Sequence, residues 1–254
     1  MARHLCSVSS AIAVVLLLST GGAEAAAPKV PAAVSAAVAD AGRPQADKDK
    51  DSGRKPAESV AFAGIKKGEK VADLLAGGGY FTRIFSKVVG DSGVVYATSF
   101  PPRPGAPSPS ALDTLAADPA YKNVKVVTGP PAEIKLPEPV DVVWTSLNYH
   151  DVENAGATEG LNKAAFDALK PGGTYIVVDH AATPGSGTKD TKALHRIDPE
   201  VVKKEVTAAG FKLESEGDFL KNPADPHTAN VHDEGQGLRW HTDQFILKFT
   251  KPKK

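Results

Sequence analysis

The chain has 254 residues, with 30 Lys and Arg against 30 Asp and Glu, so its formal net charge is zero. That balance implies no strongly basic face, so nucleic acid is not an expected partner, while a hydrophobic fraction of 41% suffices for a packed core. One α/β domain of roughly 200 residues plus extra segments fits this length.

Residues 1–25 read as a signal peptide. Arg3 and His4 precede an apolar run from Ala11 to Leu18, and Ala23-Glu24-Ala25 forms a small-residue cleavage site. The run is too short to span a bilayer as a stable helix, so no membrane span is expected once it is removed. No Arg-Arg pair is present, which favours the general secretory route and a periplasmic or secreted protein. The only cysteine, Cys6, leaves with this segment, so the mature chain has no thiol for a disulfide, a Cys-zinc site or a nucleophile. Residues 26–57 are rich in Ala, Pro, Lys and Asp without an apolar period and read as a disordered linker. The folded domain is expected over 58–254.

Strand and helix signals then alternate. Lys70 to Leu75 is a strand, and the helix after Gly79 runs through Val89. Further strands are expected at Gly93–Thr98, Val124–Val127, Val140–Thr145 and Thr174–Asp179, with a short helix at Ser110–Ala117 and another at Gly160–Leu169. Pro199 to Ala209 is a helix with Pro near its start and Gly210 past its end. Phe211–Glu216 and Gln244–Thr250 are the last two strands. Such alternation implies a mostly parallel sheet with helices on both faces and a ligand site beyond the carboxyl ends of its strands. Those ends carry Asp73 and the glycines, Thr98-Ser99, Ser146 to Asp151, and Asp179-His180.

Val71 to Phe81 reads as strand, acid, triple-glycine turn and helix start. Asp73-x-x-Ala76-Gly77-x-Gly79 resembles the cofactor loop of class I S-adenosylmethionine-dependent methyltransferases. Asp141-Val142-Val143-Trp144 resembles their fourth strand, Leu169-Lys170-Pro171-Gly172-Gly173-x-Tyr175 the turn before the fifth, and Gln244 to Phe249 the antiparallel last strand. More narrowly, Asn148-Tyr149-His150-Asp151, Val178-Asp179-His180-Ala181-Ala182, Leu194 to Pro199 and Asn222-Pro223-x-Asp225-x-His227-Thr228 resemble an exported, poorly characterised group of predicted methyltransferases. The resemblance implies a Rossmann-like methyltransferase fold: a mostly parallel seven-stranded sheet with an antiparallel last strand. It implies S-adenosylmethionine held by Asp73, Ala76, Gly77, Gly78, Gly79, Tyr80, Ser99 and Asn148, and methyl transfer to a small-molecule acceptor. Three positions depart from the pattern. Leu75 stands where the loop's first glycine is usual, Thr98-Ser99 where an acid binds the ribose, and Gly129-Pro130 where an acid binds the adenine.

His150 is a candidate general base oriented by Asp151 or Asp179, and His180 and His195 complete the expected catalytic group. The histidines lack any recognised metal spacing, so no metal ligands are assigned; a hydrogen-bonded His–Asp network shaping an acceptor pocket is favoured over a metal site. Asp198 is expected to cap the helix that follows it. Asn222 to Thr228, with His232 and His241, reads as a lid carrying His227 over the site. Two other functions stay open: an exported ligand-binding or non-methylating protein on the same scaffold, and a metal-assisted hydrolase using His150, Asp179, His180 and His195. A serine hydrolase is disfavoured because no G-x-S-x-G elbow is present.

Overall fold

A computed structural model of the protein describes residues 28–105, 107–233 and 240–253, with Met1, Glu24, Ala25 and Leu238. The expected signal peptide lies almost wholly outside the described residues. The strands are β1 (Glu24–Ala25), β2 (Lys70–Leu74), β3 (Val94–Ser99), β4 (Val124–Thr128), β5 (Val140–Ser146), β6 (Leu169–His180), β7 (Lys212–Gly217) and β8 (Gln244–Thr250). Their order is β1-β7-β8-β6-β5-β2-β3-β4. β8 runs antiparallel to both neighbours, while the other pairs are parallel. The expected seven-stranded mixed sheet is therefore present, with the two-residue β1 added at its β7 edge.

The helices are α1 (Ala32–Val38), α2 (Gln45–Lys48), α3 (Asp51–Arg54), α4 (Pro56–Ala63), α5 (Tyr80–Val89), α6 (Ala111–Ala117), α7 (Tyr149–Asn154), α8 (Thr158–Ala168), α9 (Thr191–Leu194) and α10 (Pro199–Ala208). Strand residues alternate between two cores, as pleating requires. Val71, Val142, Ile176 and Ile246 pack with Ile84, Phe85 and Val60 of α5 and α4 on one face. Ala72, Val143, Val177 and Leu247 pack with Val152, Leu161 and Val202 of α7, α8 and α10 on the other. α5 buries Tyr80, Phe81, Ile84, Phe85, Val88 and Val89, a stripe at helical spacing. Among the described residues, no helix is long and apolar enough to cross a membrane.

Two expectations need correction. Residues 28–57 are not an unstructured linker but carry α1, α2, α3 and the start of α4. Val34 and Ala37 bury one face of α1. Arg43, only 3% exposed, forms a two-pronged ion pair with Asp51 at 2.8 and 2.7 Å. Asp47 meets Arg83 of α5 at 3.1 Å. The alternating charges resemble a solvated run, but Arg43 and Asp51 pair within it and Asp47 finds its partner on α5, 36 residues away, which local composition does not reveal. The second correction concerns Leu169 to Gly173. This segment is the irregular start of β6 rather than a turn ahead of it: Leu169 pairs with Val140, the register shifts, and regular pairing resumes at Thr174.

Candidate functional site

A cavity of about 290 Å³ opens at the carboxyl ends of β2, β5 and β6. Its floor is the turn between β2 and α5. The Leu75 amide donates to Thr98 Oγ1 and the Ala76 amide to the Thr98 carbonyl, both at 2.9 Å. Thr98, fully buried, is thus occupied in holding the turn. Leu75 itself adopts the left-handed region at φ 52°, a conformation that favours glycine. Gly79 needs its glycine: φ is 83°, and an added Cβ would lie 2.7 Å from Leu115. At Gly77 and Gly78 an added Cβ would meet nothing within 4 Å, so both present open backbone to the cavity.

Asp73, only 3% exposed, accepts a 2.6 Å hydrogen bond from Thr82 Oγ1 and so fastens the end of β2 to the first turn of α5. Burial pushes its carboxyl up to about 7, against the opposing pull of the Thr82 hydroxyl and Arg54. Arg54 crosses the same region. Its guanidinium lies 4.1 Å from the Tyr80 ring centroid, 4.8 Å from that of Phe81, and donates to Ser146 Oγ at 3.1 Å. Burial lowers its pKa, with Tyr80 and Asp73 opposing that effect.

The opposite wall carries imidazoles. Leu147 (φ 58°) turns the chain from β5 into α7, setting His150 in the first turn of that helix, 2% exposed. Asp179, fully buried at the end of β6, accepts three bonds of 2.8 Å: from the His150 amide, from His150 Nδ1 and from the His180 amide. Burial alone would raise the Asp179 carboxyl, but the His150 ring and these donors hold it below its ordinary value. Burial alone would lower His150, yet Asp179 and then Asp151 raise it. His180 is different: burial outweighs Asp179 and pushes the ring down to about 3. It is a neutral imidazole bonded through Nδ1 to Thr242 Oγ1 at 2.6 Å, so it shapes the wall without titrating near neutrality. His195 ends α9 at φ 55°. Two residues on, Ile197 bridges to Ala181, and the Ile197 amide donates to the His180 carbonyl at 3.0 Å, clamping this segment to the exit of β6.

All five expected catalytic residues, His150, Asp151, Asp179, His180 and His195, thus converge on one sheet edge. Of the expected cofactor residues, Asp73, Ala76, Gly77, Gly78, Tyr80 and Asn148 line the cavity. Gly79 and Ser99 do not line it: Gly79 caps α5 against Leu115, and Ser99 ends β3, its carbonyl accepting from the Gly129 amide. The Asn148 amide is already engaged, donating to the Leu75 carbonyl at 3.3 Å and accepting from Thr145 Oγ1. It joins β5 to the glycine turn and is not available to replace a missing acid. His227 is not over the cavity. It pairs with Asp243 at 2.8 Å and lines a separate hollow behind β8. From that insertion His232 and Trp240 reach the cavity instead, facing Asp47, Lys50 and Arg54 from the segment expected to be a linker. Gly53 marks where the two covers touch, since a Cβ there would fall 1.3 Å from the Trp240 carbonyl oxygen. Asp198 caps α10 as expected, accepting from the Glu200 amide at 3.0 Å.

No protein-family profile matches the sequence, and no curated protein matches it. Solved structures do. A methyltransferase from Aquifex aeolicus, described as S-adenosylmethionine-dependent, is 17% identical and covers 82% of this chain and 98% of its own, with a TM-score of 0.54. The glycopeptide N-methyltransferase MtfA, solved with S-adenosylmethionine, is 16% identical over 80% of this chain and 87% of its own, at 0.53. The [4+2]-cyclase SpnF is 16% identical over 82% of each chain, at 0.59. This chain has their fold. At such identity the likeness concerns architecture, and the presence of a cyclase among the neighbours shows that the fold alone does not name a reaction.

Proposed function

We propose that the chain binds S-adenosylmethionine in this cavity and transfers its methyl group to a small molecule held on the imidazole side. The observation that carries the reading is the facing of open Gly77-Gly78 backbone, at a helix start, toward the His150–Asp179 pair across one cavity. Glycine backbone and a helix N-terminus suit close approach of a polar ligand, and Arg54 adds a buried cation suited to a carboxylate. When bound, S-adenosylmethionine supplies a methyl group on a positively charged sulfur. Gly77 and Gly78 hold the ligand against the sheet edge, and Tyr80 and Trp240 close around it. Asp179 holds His150 Nδ1, so the Nε2 lone pair is directed away from β6. A lone pair fixed in this way serves an acceptor by taking its proton or by binding a cation that polarises it. Positioning of the two reactants supplies most of the rate in such an in-line displacement.

The engaged Thr98 and the Gly129-Pro130 corner favour a second reading: a ligand-binding or non-methylating protein that kept the scaffold without the acids for ribose and adenine. Calorimetry separates the possibilities. Saturable one-to-one binding of S-adenosylhomocysteine that is lost in Gly78→Trp, at a position where an added Cβ meets nothing within 4 Å, supports the cofactor site. Absence of heat at millimolar ligand rejects it. We also infer export through residues 1–25. Amino-terminal sequencing of the cell-envelope protein checks this, and an intact Met1 end there contradicts it.

A further inference from the structure

The geometry points to a metal site: we propose that His150 Nε2, His195 Nδ1 and Asp151 Oδ1 bind one tetrahedral divalent transition-metal ion, with zinc as the fitting case. Sequence spacing gave no such signal, because the ligands come from α7 and from the end of α9, about 45 residues apart in the chain. The three atoms form a nearly equilateral triangle. His150 Nε2 lies 3.3 Å from His195 Nδ1 and 3.5 Å from Asp151 Oδ1, and His195 Nδ1 lies 3.5 Å from Asp151 Oδ1. Ligands at roughly 2.0–2.2 Å from a tetrahedral ion stand about 3.3–3.6 Å apart. An octahedral face with the same bond lengths would need edges of about 2.8–3.1 Å, shorter than any of these. A single hydrogen bond between the imidazoles accounts for one edge but not for a carboxylate oxygen equally distant from both rings.

The surroundings have the second feature of built metal sites. His150 gives its other nitrogen to the buried carboxylate of Asp179 at 2.8 Å. That carboxylate–imidazole pair fixes the tautomer, turns the Nε2 lone pair toward the triangle and makes it a better donor. α7 and α9 are tied by the Asn154 side-chain amide to the Thr191 carbonyl at 3.1 Å, so the two ligand-bearing elements are held in register. The donor set of two imidazoles and one carboxylate leaves one tetrahedral position for an exogenous oxygen, nitrogen or sulfur. His150 and Asp151 also line the cavity, so the ion borders the space assigned to the methyl acceptor. Binding of the metal stands independently of the cofactor reading. Its role rests on that reading: a hydroxyl or thiol acceptor at the open position would lose its proton to solvent more readily and reach the methyl group as an anion.

The test uses the full, untagged chain stripped with a chelator, then titrated with zinc and, in parallel, with cobalt. We expect one zinc per chain at micromolar affinity or better, and the intense visible bands of tetrahedral cobalt. His195→Asn and Asp151→Asn, both at partly exposed side chains, should each abolish stoichiometric binding while circular dichroism stays unchanged. Asp179→Asn should weaken zinc by about 10–100-fold. His241→Asn, on the exposed surface, should leave it unchanged. No binding by the wild-type chain at 100-fold excess zinc, or binding that survives both His195→Asn and Asp151→Asn, overturns the proposal. S-adenosylhomocysteine binding is measured on the same metal-free protein, so failure of the cofactor site is seen separately from failure of the metal site.

Discussion

Arg196 offers the sharpest stability test, because it anchors both His195 and the loop that follows Asn222. Its side chain and that of Asp225 are fully buried, joined at 2.8 and 3.1 Å. Nε also donates to the Ala229 carbonyl at 3.0 Å, and Nη1 to the Ala181 carbonyl at 3.1 Å. Arg196→Met removes this fork and leaves a buried carboxylate with only its backbone donors, the His227 and Asp243 amides at 2.9 and 2.6 Å. Breaking one side of a buried pair costs about 3–5 kcal/mol, which for a domain of this size lowers the melting temperature by about 10 °C. Arg196→Lys keeps the charge without the fork and should fall between wild type and Arg196→Met. Urea denaturation at pH 7 reads the difference as a shift in midpoint at unchanged slope. The sign with pH is also fixed. Burial would raise Asp225, but the two amides and then Arg196 hold it low. A depressed carboxyl adds stability above its unfolded pKa, and that stability is lost as pH falls through the folded one. The deficit of Arg196→Met should therefore shrink in acid. A loss below about 1 kcal/mol at pH 7, within the range of ordinary surface substitutions, would refute the assignment of this pair as the anchor.

Other substitutions test the floor and the cover. Gly78→Ala should leave stability unchanged within about 0.5 kcal/mol, whereas Gly79→Ala, with a positive φ and a Cβ 2.7 Å from Leu115, should lose about 1–3 kcal/mol; equal midpoints in urea would contradict this. Asp73 is the reverse of Asp225. With its folded pKa raised to about 7, the native state keeps a proton that the unfolded chain releases, so stability falls as pH rises from about 4 to 7 and then levels off. That difference corresponds to about 4 kcal/mol at most, and Asp73→Asn should flatten the slope; parallel slopes for the two proteins between pH 5 and 8 would show that Asp73 is not held above its ordinary value. Gly53→Val should part α3 from the Trp240 carbonyl and speed proteolysis within 47–54, and protection equal to wild type would show that the two covers do not meet.

Much of the architecture is legible in the sequence because it rests on local pattern. The apolar runs at Val71, Val95, Val142 and Ile176 mark strands, Pro199 and Gly210 bracket α10, and Asp198 caps it. The position of the site was equally open to inference, since polar residues gather at the strand ends. What stays hidden depends on partners far apart in sequence. Asp47–Arg83, 36 residues apart, turns an apparently solvated charge run into a folded cover. His227 belongs to Asp243, not to the cavity, and His232 and Trp240 take the place expected for it. Asn148 looks like a spare amide but is consumed by the Leu75 carbonyl. The triangle of His150, Asp151 and His195 appears only once α7 and α9 lie side by side. Signals that do exist include Gly53, a lone glycine in a charged helix, and Leu147 ahead of Asn148, where the chain must turn sharply from strand to helix.

The central claim is that the cavity between the glycine turn and the imidazoles is a cofactor site. A crystal structure of the full chain grown with saturating S-adenosylhomocysteine tests it most directly. The ligand is expected along Gly77 and Gly78, with its sulfur facing His150 and its carboxylate near Arg54. Ligand bound anywhere else, or continuous solvent in this cavity at saturation, would contradict the account.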